Sequence, residues 1–312
     1  MKIPRAFILF IPAAVLLAVW FPVSSFPLQS GPSQSGDFRI STNVDLVLLD
    51  VSVRDSKGGY ASDLSQDNFH IEENGIPQKI TSFSNADLPV AAGLLLDDSG
   101  SMKPKRDDVN TAGLTFVDAS NPNDQIFVVN FNDQVRFGLP DDVPFTDSID
   151  QLRVAMSRHR AEGKTVLYDA IAKSLQHLYM GERSRKTLVI VSDGGDNASR
   201  LRQPDAMELI ERSHATIYTV GIFEPDDFDR NPAVLRRIAA VSGGQCFLLN
   251  DVGEVIPTLR SIANDIRHRY TIGYIPDRGT NTMPLRKIRV TVNAPNHGHL
   301  TVRTRSSYLA PG

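Results

Sequence analysis

The sequence predicts an α/β domain with a mostly parallel central sheet, inserted in a β-sandwich formed by N- and C-terminal strands. Three observations carry this. Residues 88–268 alternate continuous apolar runs with segments of helical period, the pattern of repeated βαβ units. The flanks, 38–87 and 269–309, return instead to a period of two, which marks half-buried strands. Neither flank, at about 50 and 40 residues, can bury a core alone, so the two are expected to pair.

The chain has 312 residues, 41% hydrophobic and 22% charged, a globular composition rather than a disordered one. Its net charge of -3 gives no electrostatic footprint for nucleic acid. At the N-terminus, Lys2 and Arg5 precede an apolar stretch, 6–23, and then Ser24 and Ser25. That reads as a secretory signal peptide over 1–25. The alternative is an uncleaved membrane anchor, since roughly 17–25 apolar residues can span a bilayer. Residues 26–37, rich in Ser, Pro, Gly and Gln, read as a linker. The expected location is secreted, periplasmic or cell-surface.

In the first flank, Val47, Leu49, Val51 and Val53 alternate with more polar positions and predict a strand with one buried face. Residues 69–71 predict a second strand, turned back by Asn74-Gly75 into a returning strand over 80–83. From 88 the reading changes. Residues 90–96 form an apolar run suited to a strand covered on both faces. Helix 104–119, strand 125–131 and an edge hairpin near Val135-Arg136-Phe137 follow. Helix 166–179 carries Leu167, Ile171, Leu175 and Leu178 on one stripe. Strands 187–191, 216–222 and 246–249 then alternate with helices 206–213, 233–241 and 255–267. The second flank offers strands at 271–274, 288–292 and 300–304. Cys246 is the one cysteine, so no intramolecular disulfide can form, and its strand context predicts a packed thiol.

Chemistry concentrates in three places. Asp97, Ser99 and Ser101 form D-x-S-x-S directly after the buried strand 90–96. In open α/β sheets ligands bind beyond the carboxyl ends of the strands, where this loop must fall. The strand 187–191 runs into Ser192-Asp193-Gly194-Gly195 and brings Asp193 to the same edge. Gly163-Lys164-Thr165 precedes a helix and can bring the Thr165 hydroxyl there too. Asp97, Ser99, Ser101, Thr165 and Asp193 are all hard oxygen donors, suited to Mg²⁺, Mn²⁺ or Ca²⁺ and not to zinc. Gly100, Gly194 and Gly195 would ease tight turns around them. Two carboxylates leave a divalent charge partly countered, which favours an Asp or Glu from a partner protein in an open position. The bland alternative is that Asp97 and Asp193 only cap turns and helices.

The set Asp97-x-Ser99-x-Ser101, Thr165 and Ser192-Asp193-Gly194 resembles the metal-ion-dependent adhesion site of von Willebrand factor type A domains, over about residues 88–268. The resemblance implies a Rossmann-like sheet wrapped by helices, with one antiparallel edge strand. It also implies direct metal binding by both Ser, a direct or water-mediated Thr, and Asp residues acting largely through water. Leu167-Tyr168-Asp169-Ala170-Ile171, the stretch from Asp67 to Gly75, and Tyr270-x-Ile272-Gly273-Tyr274 resemble a secreted acidobacterial subgroup. Lys164 stands where a second Gly is common in that family, which places a positive charge at the rim.

An exported, non-enzymatic, metal-dependent protein-binding module is the function expected from this. A structural domain without a working metal site is one alternative. A haloacid-dehalogenase-type phosphotransferase is another, but it needs an acid/base carboxylate two residues after its nucleophile, and here that residue is Ser99. A serine hydrolase lacks G-x-S-x-G around Ser99 or Ser101. Asp98 is expected to serve a turn or helix cap, and Asp196 and Asn197 to be solvated loop residues.

Overall fold

The computed structural model describes residues 46–158, 160–223, 230–276 and 284–310, all within the unit Val44–Gly312. The segments read as signal peptide and linker, and the start of the first flank, lie outside the described residues. In chain order the first flank holds β1 (Val47–Asp55), β2 (Phe69–Glu73), β3 (Ile76–Gln78) and β4 (Ile80–Ser84). The α/β part runs β5 (Val90–Asp97), α1 (Arg106–Ala119), β6 (Gln125–Phe131), β7 (Val135–Phe137), α2 (Ile149–Ser157), α3 (Leu167–Leu178) and β8 (Arg185–Val191). It continues with α4 (Gln203–Arg212), β9 (Thr216–Ile222), α5 (Pro232–Ser242), β10 (Cys246–Leu249) and α6 (Val255–Arg267). The second flank holds β11 (Tyr270–Tyr274), β12 (Leu285–Val292), β13 (Leu300–Arg303) and β14 (Ser307–Leu309).

Six strands form the central sheet in the order β10-β9-β8-β5-β6-β7. All its neighbours are parallel except β6 and β7, as expected for a Rossmann-like sheet with one antiparallel edge. Every residue of β5 and β9 is buried, which is why both read as unbroken apolar runs: helices cover both faces. Among the described residues, no helix is long and apolar enough to cross a membrane.

The two flanks interleave. One sheet has the order β13-β1-β11-β4 and the other β14-β12-β2-β3, so each draws strands from both ends of the chain. Their inward residues share one core, with Leu49 and Val51 from β1, Phe69 and Ile71 from β2, and Ile272, Ile288 and Tyr308 from the second flank. The chain leaves this sandwich through β4 and returns through β11, and those two strands pair, Ser84 opposite Thr271. The insertion therefore opens and closes at neighbouring strands.

Four readings need correction. The Asn74-Gly75 turn, with φ of 50° at Asn74 and 81° at Gly75, returns into β3, not β4; β4 crosses to the other sheet. Helix α1 starts at Arg106, because residues Gly100–Lys105, Pro104 among them, form a 3-10 turn ahead of it. Helix α2 has no counterpart in the sequence reading; its nine residues give only two turns of periodicity. Strand β10 lies at the sheet edge, so Cys246 is half-buried rather than packed in the core.

The sandwich and the α/β part are joined through Asp265 on α6, which is 1% exposed. Its carboxylate accepts from Ser52 Oγ at 2.9 Å, Arg54 Nη2 at 2.7 Å, Tyr218 OH at 2.6 Å and the guanidiniums of Arg269 and Arg303, each at 3.2 Å. Burial works against its charge, but Arg269 and Arg303, aided by Tyr218 and Arg54, hold its pKa well below the usual carboxylate range.

Candidate metal centre

Strand β5 ends at Asp97 and its parallel neighbour β8 at Val191. The residues that follow each strand therefore emerge side by side at the carboxyl edge of the sheet. Asp97 is 3% exposed and Asp193 2%. The Ser101 hydroxyl donates to Asp193 Oδ2 at 2.5 Å, and Ser101 Oγ lies 3.2 Å from Ser99 Oγ. Asp97 Oδ1 accepts from the Ser99 amide at 2.9 Å and Oδ2 from the Ser192 hydroxyl at 2.6 Å. Ser99, Ser101 and Asp193 thus form one hydrogen-bonded chain, with Asp97 tied in through Ser99 and Ser192.

Burial, and behind it the charge of Asp193, push the Asp97 pKa up to about 7, against the hydrogen bonds from Ser192 and Ser99 that favour its charged form. The two buried carboxylates thus repel one another. Among the described residues no three His, Cys, Asp or Glu side chains gather to hold a metal ion. Carboxylates and hydroxyls together make the donor set here, and an all-oxygen set fits a hard divalent ion.

Thr165 is buried on the loop before α3, and its backbone is fixed from the third loop. Its amide donates to Asn197 Oδ1 at 2.9 Å, and its carbonyl accepts from the Asn197 and Ala198 amides, both at 3.1 Å. Gly100 N donates to Gly163 O at 3.2 Å, which closes the first loop on the second. Gly163 has φ of 84°, and a Cβ there would lie 2.0 Å from Asp133 Oδ2. Gly194 has φ of 81°, and a Cβ there would meet Asn231 O at 2.5 Å. Of the three glycines singled out from the sequence, Gly194 alone adopts positive φ; Gly163 shares that role.

Several residues proved more useful than expected. Asp98 does not cap a turn: it pairs with Arg106 in the first turn of α1. Asp196 is no solvated loop residue. Its carboxylate accepts from the Tyr168 amide at 3.0 Å and the Ser199 hydroxyl at 2.5 Å, and so supplies the side-chain cap that Val166 does not give α3. Asn197 clasps Thr165 as described. The sequence signal for both was the Asx residue type itself, which favours such caps and turns; their partners, about 30 positions away, were not legible.

The von Willebrand factor type A domain family matches residues 93–263. No curated protein matches the chain. Among solved structures, a von Willebrand factor type A protein from Catenulispora acidiphila is similar over 86% of this chain and 75% of its own, at 13% identity and a TM-score of 0.51. The conserved hypothetical protein BatB from Bacteroides thetaiotaomicron aligns over 57% of this chain and 98% of its own, at 14% identity and a TM-score of 0.47. Proximal thread matrix protein 1 from the mussel byssus, with a zinc-occupied MIDAS motif, aligns over 58% of this chain and 48% of its own, at 18% identity and a TM-score of 0.48. At 13% identity the Catenulispora likeness bears on fold alone.

Proposed function

Because the chain belongs to the von Willebrand factor type A domain family, we propose that it is a non-enzymatic protein-binding module whose affinity depends on a divalent cation held by Asp97, Ser99, Ser101, Thr165 and Asp193. The observation that carries this is the chain of contacts from Asp193 through Ser101 to Ser99, with buried Asp97 beside it. When bound, Mg²⁺, Mn²⁺ or Ca²⁺ supplies a Lewis-acidic centre able to accept an anionic ligand.

The protein's own residues define the rest. Asp97 and Asp193 bring the negative charge, and the hydroxyls of Ser99, Ser101 and Thr165 add neutral donors without raising it. The Asn197 clasp and the Gly100–Gly163 bond hold the three loops at one spacing. A partner's Asp or Glu carboxylate is the ligand such a site favours. Lys164, exposed at the rim with its amide on Asp133, would steer acidic surfaces toward it. Ser99 at the second position after Asp97 supports a binding role over phosphoryl transfer, since a hydroxyl cannot shuttle protons near neutral pH. The signal-like pattern of 1–25 supports work outside the cytoplasm, secreted, periplasmic or at the cell surface.

Calorimetric titration with Mg²⁺ and Mn²⁺ tests the site. Heat is expected for the wild type and none for Asp97→Ala; a silent wild type at millimolar metal would sink the proposal. A phosphatase and esterase screen with and without EDTA should show no turnover.

A further inference from the structure

Thr165 reaches the candidate metal centre on residues 162–165, a stretch outside any helix or strand. Backbone polar groups in such a stretch must find partners elsewhere, and here different loops supply them. The Glu162 amide donates to Asp98 O at 2.8 Å, and Gly163 O accepts from the Gly100 amide at 3.2 Å, both in the segment after β5. The Thr165 amide donates to Asn197 Oδ1 at 2.9 Å, in the loop after β8. Between them, the Lys164 amide donates to Asp133 Oδ1 at 3.1 Å. Asp133 sits in the β6–β7 hairpin, a fourth loop from which no candidate metal donor comes.

The hairpin is held without help from Asp133. Buried Asn132 accepts on Oδ1 from the Gln134 amide at 3.2 Å and from Arg136 Nη1 at 2.9 Å. The Asp98 amide donates to Phe131 O at 2.7 Å and ties the hairpin to the end of β5. Asp133 is exposed and reaches across to the Thr165 loop instead. Gly163 O and Lys164 N belong to one peptide unit, so that unit is gripped from both sides, by Gly100 and by Asp133. The second carboxylate oxygen lies against Gly163: a Cβ there would come within 2.0 Å of Asp133 Oδ2, and its φ is 84°. Glycine at 163 permits both the close approach and the backbone conformation. With the Thr165 amide held by Asn197, the peptide units on both sides of Lys164 are fixed, and with them the start of Thr165.

We propose that Asp133 is a positioning residue of the metal centre: its carboxylate holds the Gly163–Lys164 peptide, and through it sets the Thr165 hydroxyl where it serves the cation. This role rests on the reading of Thr165 as a metal donor. Asp133 acts from outside the donor set, as the hydrogen-bonded supports of metal ligands do.

Two measurements on the intact chain test it. In metal-free protein, exchange of the Lys164 amide hydrogen should quicken about fivefold in Asp133→Ala. Asp133→Asn keeps an acceptor oxygen and should stay close to wild type. Neither variant should lower the melting temperature appreciably, because the bond lies at the surface. In calorimetry with Mg²⁺, Asp133→Ala should weaken binding about tenfold, and Asp133→Asn should restore most of that loss. Added to Thr165→Ala, Asp133→Ala should cost little more, since both act through one hydroxyl. Unchanged exchange in Asp133→Ala, equal losses for the Ala and Asn variants, or a full additional loss in the double variant would each overturn the role. A wild type silent to millimolar Mg²⁺ would overturn the metal reading and this role with it. A wild type that binds, with Asp133→Ala indistinguishable from it, would overturn this role alone.

Discussion

Asp97 and Asp265 are both aspartates buried in the α/β part, yet their ionisation is driven in opposite directions. Asp97 sits beside a second carboxylate, with hydroxyls and amides as its bonded partners, and its pKa rises to about 7. Asp265 sits at the focus of three guanidiniums and two hydroxyls, and its pKa falls well below the usual range. Burial disfavours the charged form in both; the neighbours decide the outcome. The comparison separates a joint from a site. At the joint, the chain supplies its own countercharge and gains a fixed contact between sandwich and α/β part. At the sheet edge two buried carboxylates lie among hydroxyls and amides, and the charge of one raises the pKa of the other.

The contrast can be broken most sharply at the joint. Asp265→Ala should cost about 3–5 kcal/mol in a denaturant titration, because it leaves Arg54, Arg269 and Arg303 without their shared carboxylate. Asp97→Ala should instead cost no more than about 1 kcal/mol without metal, since the lost hydrogen bonds are offset by relief of carboxylate repulsion. A comparable loss for the two variants would erase the distinction.

Metal should act on the sheet edge alone. At a concentration one hundred times Kd, Mg²⁺ is expected to stabilise the wild type by about 2.7 kcal/mol, read as a rise in melting temperature. Asp97→Ala should lose that rise, and a variant at the joint that still folds should keep it.

Acid should act on the joint. Because the folded-state pKa of Asp265 is depressed, its contribution is fully present above the unfolded value near 4 and is lost as pH falls below it. Urea midpoints should therefore drop between about pH 4 and pH 2, by roughly 2 kcal/mol from this group, and Asp265→Asn should flatten that slope. An unchanged slope would show that other carboxylates govern acid unfolding.

The smallest effect belongs to Lys164. Lys164→Ala should weaken an acidic partner only a few-fold, mainly through a slower and less salt-dependent association, as measured by surface binding kinetics at two ionic strengths. Stronger binding by the variant would remove its steering role.

How much of this was legible in advance follows from the range of the interactions involved. Strand β5 was readable because all of its residues are buried and read as one apolar run, and helix α6 because it buries one periodic set of its own residues. Helix α2 was missed because nine residues carry too little period. The return from Asn74-Gly75 was misplaced because β3 offers three residues with little burial, while β4 looked the better strand and pairs elsewhere.

By itself, the sequence determined the α/β and β-type regions, the D-x-S-x-S loop after a buried strand and the oxygen character of the five candidate donors. These are local properties, set by hydrophobic period and residue type. The tertiary structure alone decided that Ser192 supports Asp97, that Asp196 and Asn197 work as cap and clasp, and that Asp265 is ringed by arginines from both ends of the chain. Those contacts join residues from about 30 to more than 200 positions apart, and no local pattern encodes which distant partner a buried charge will meet.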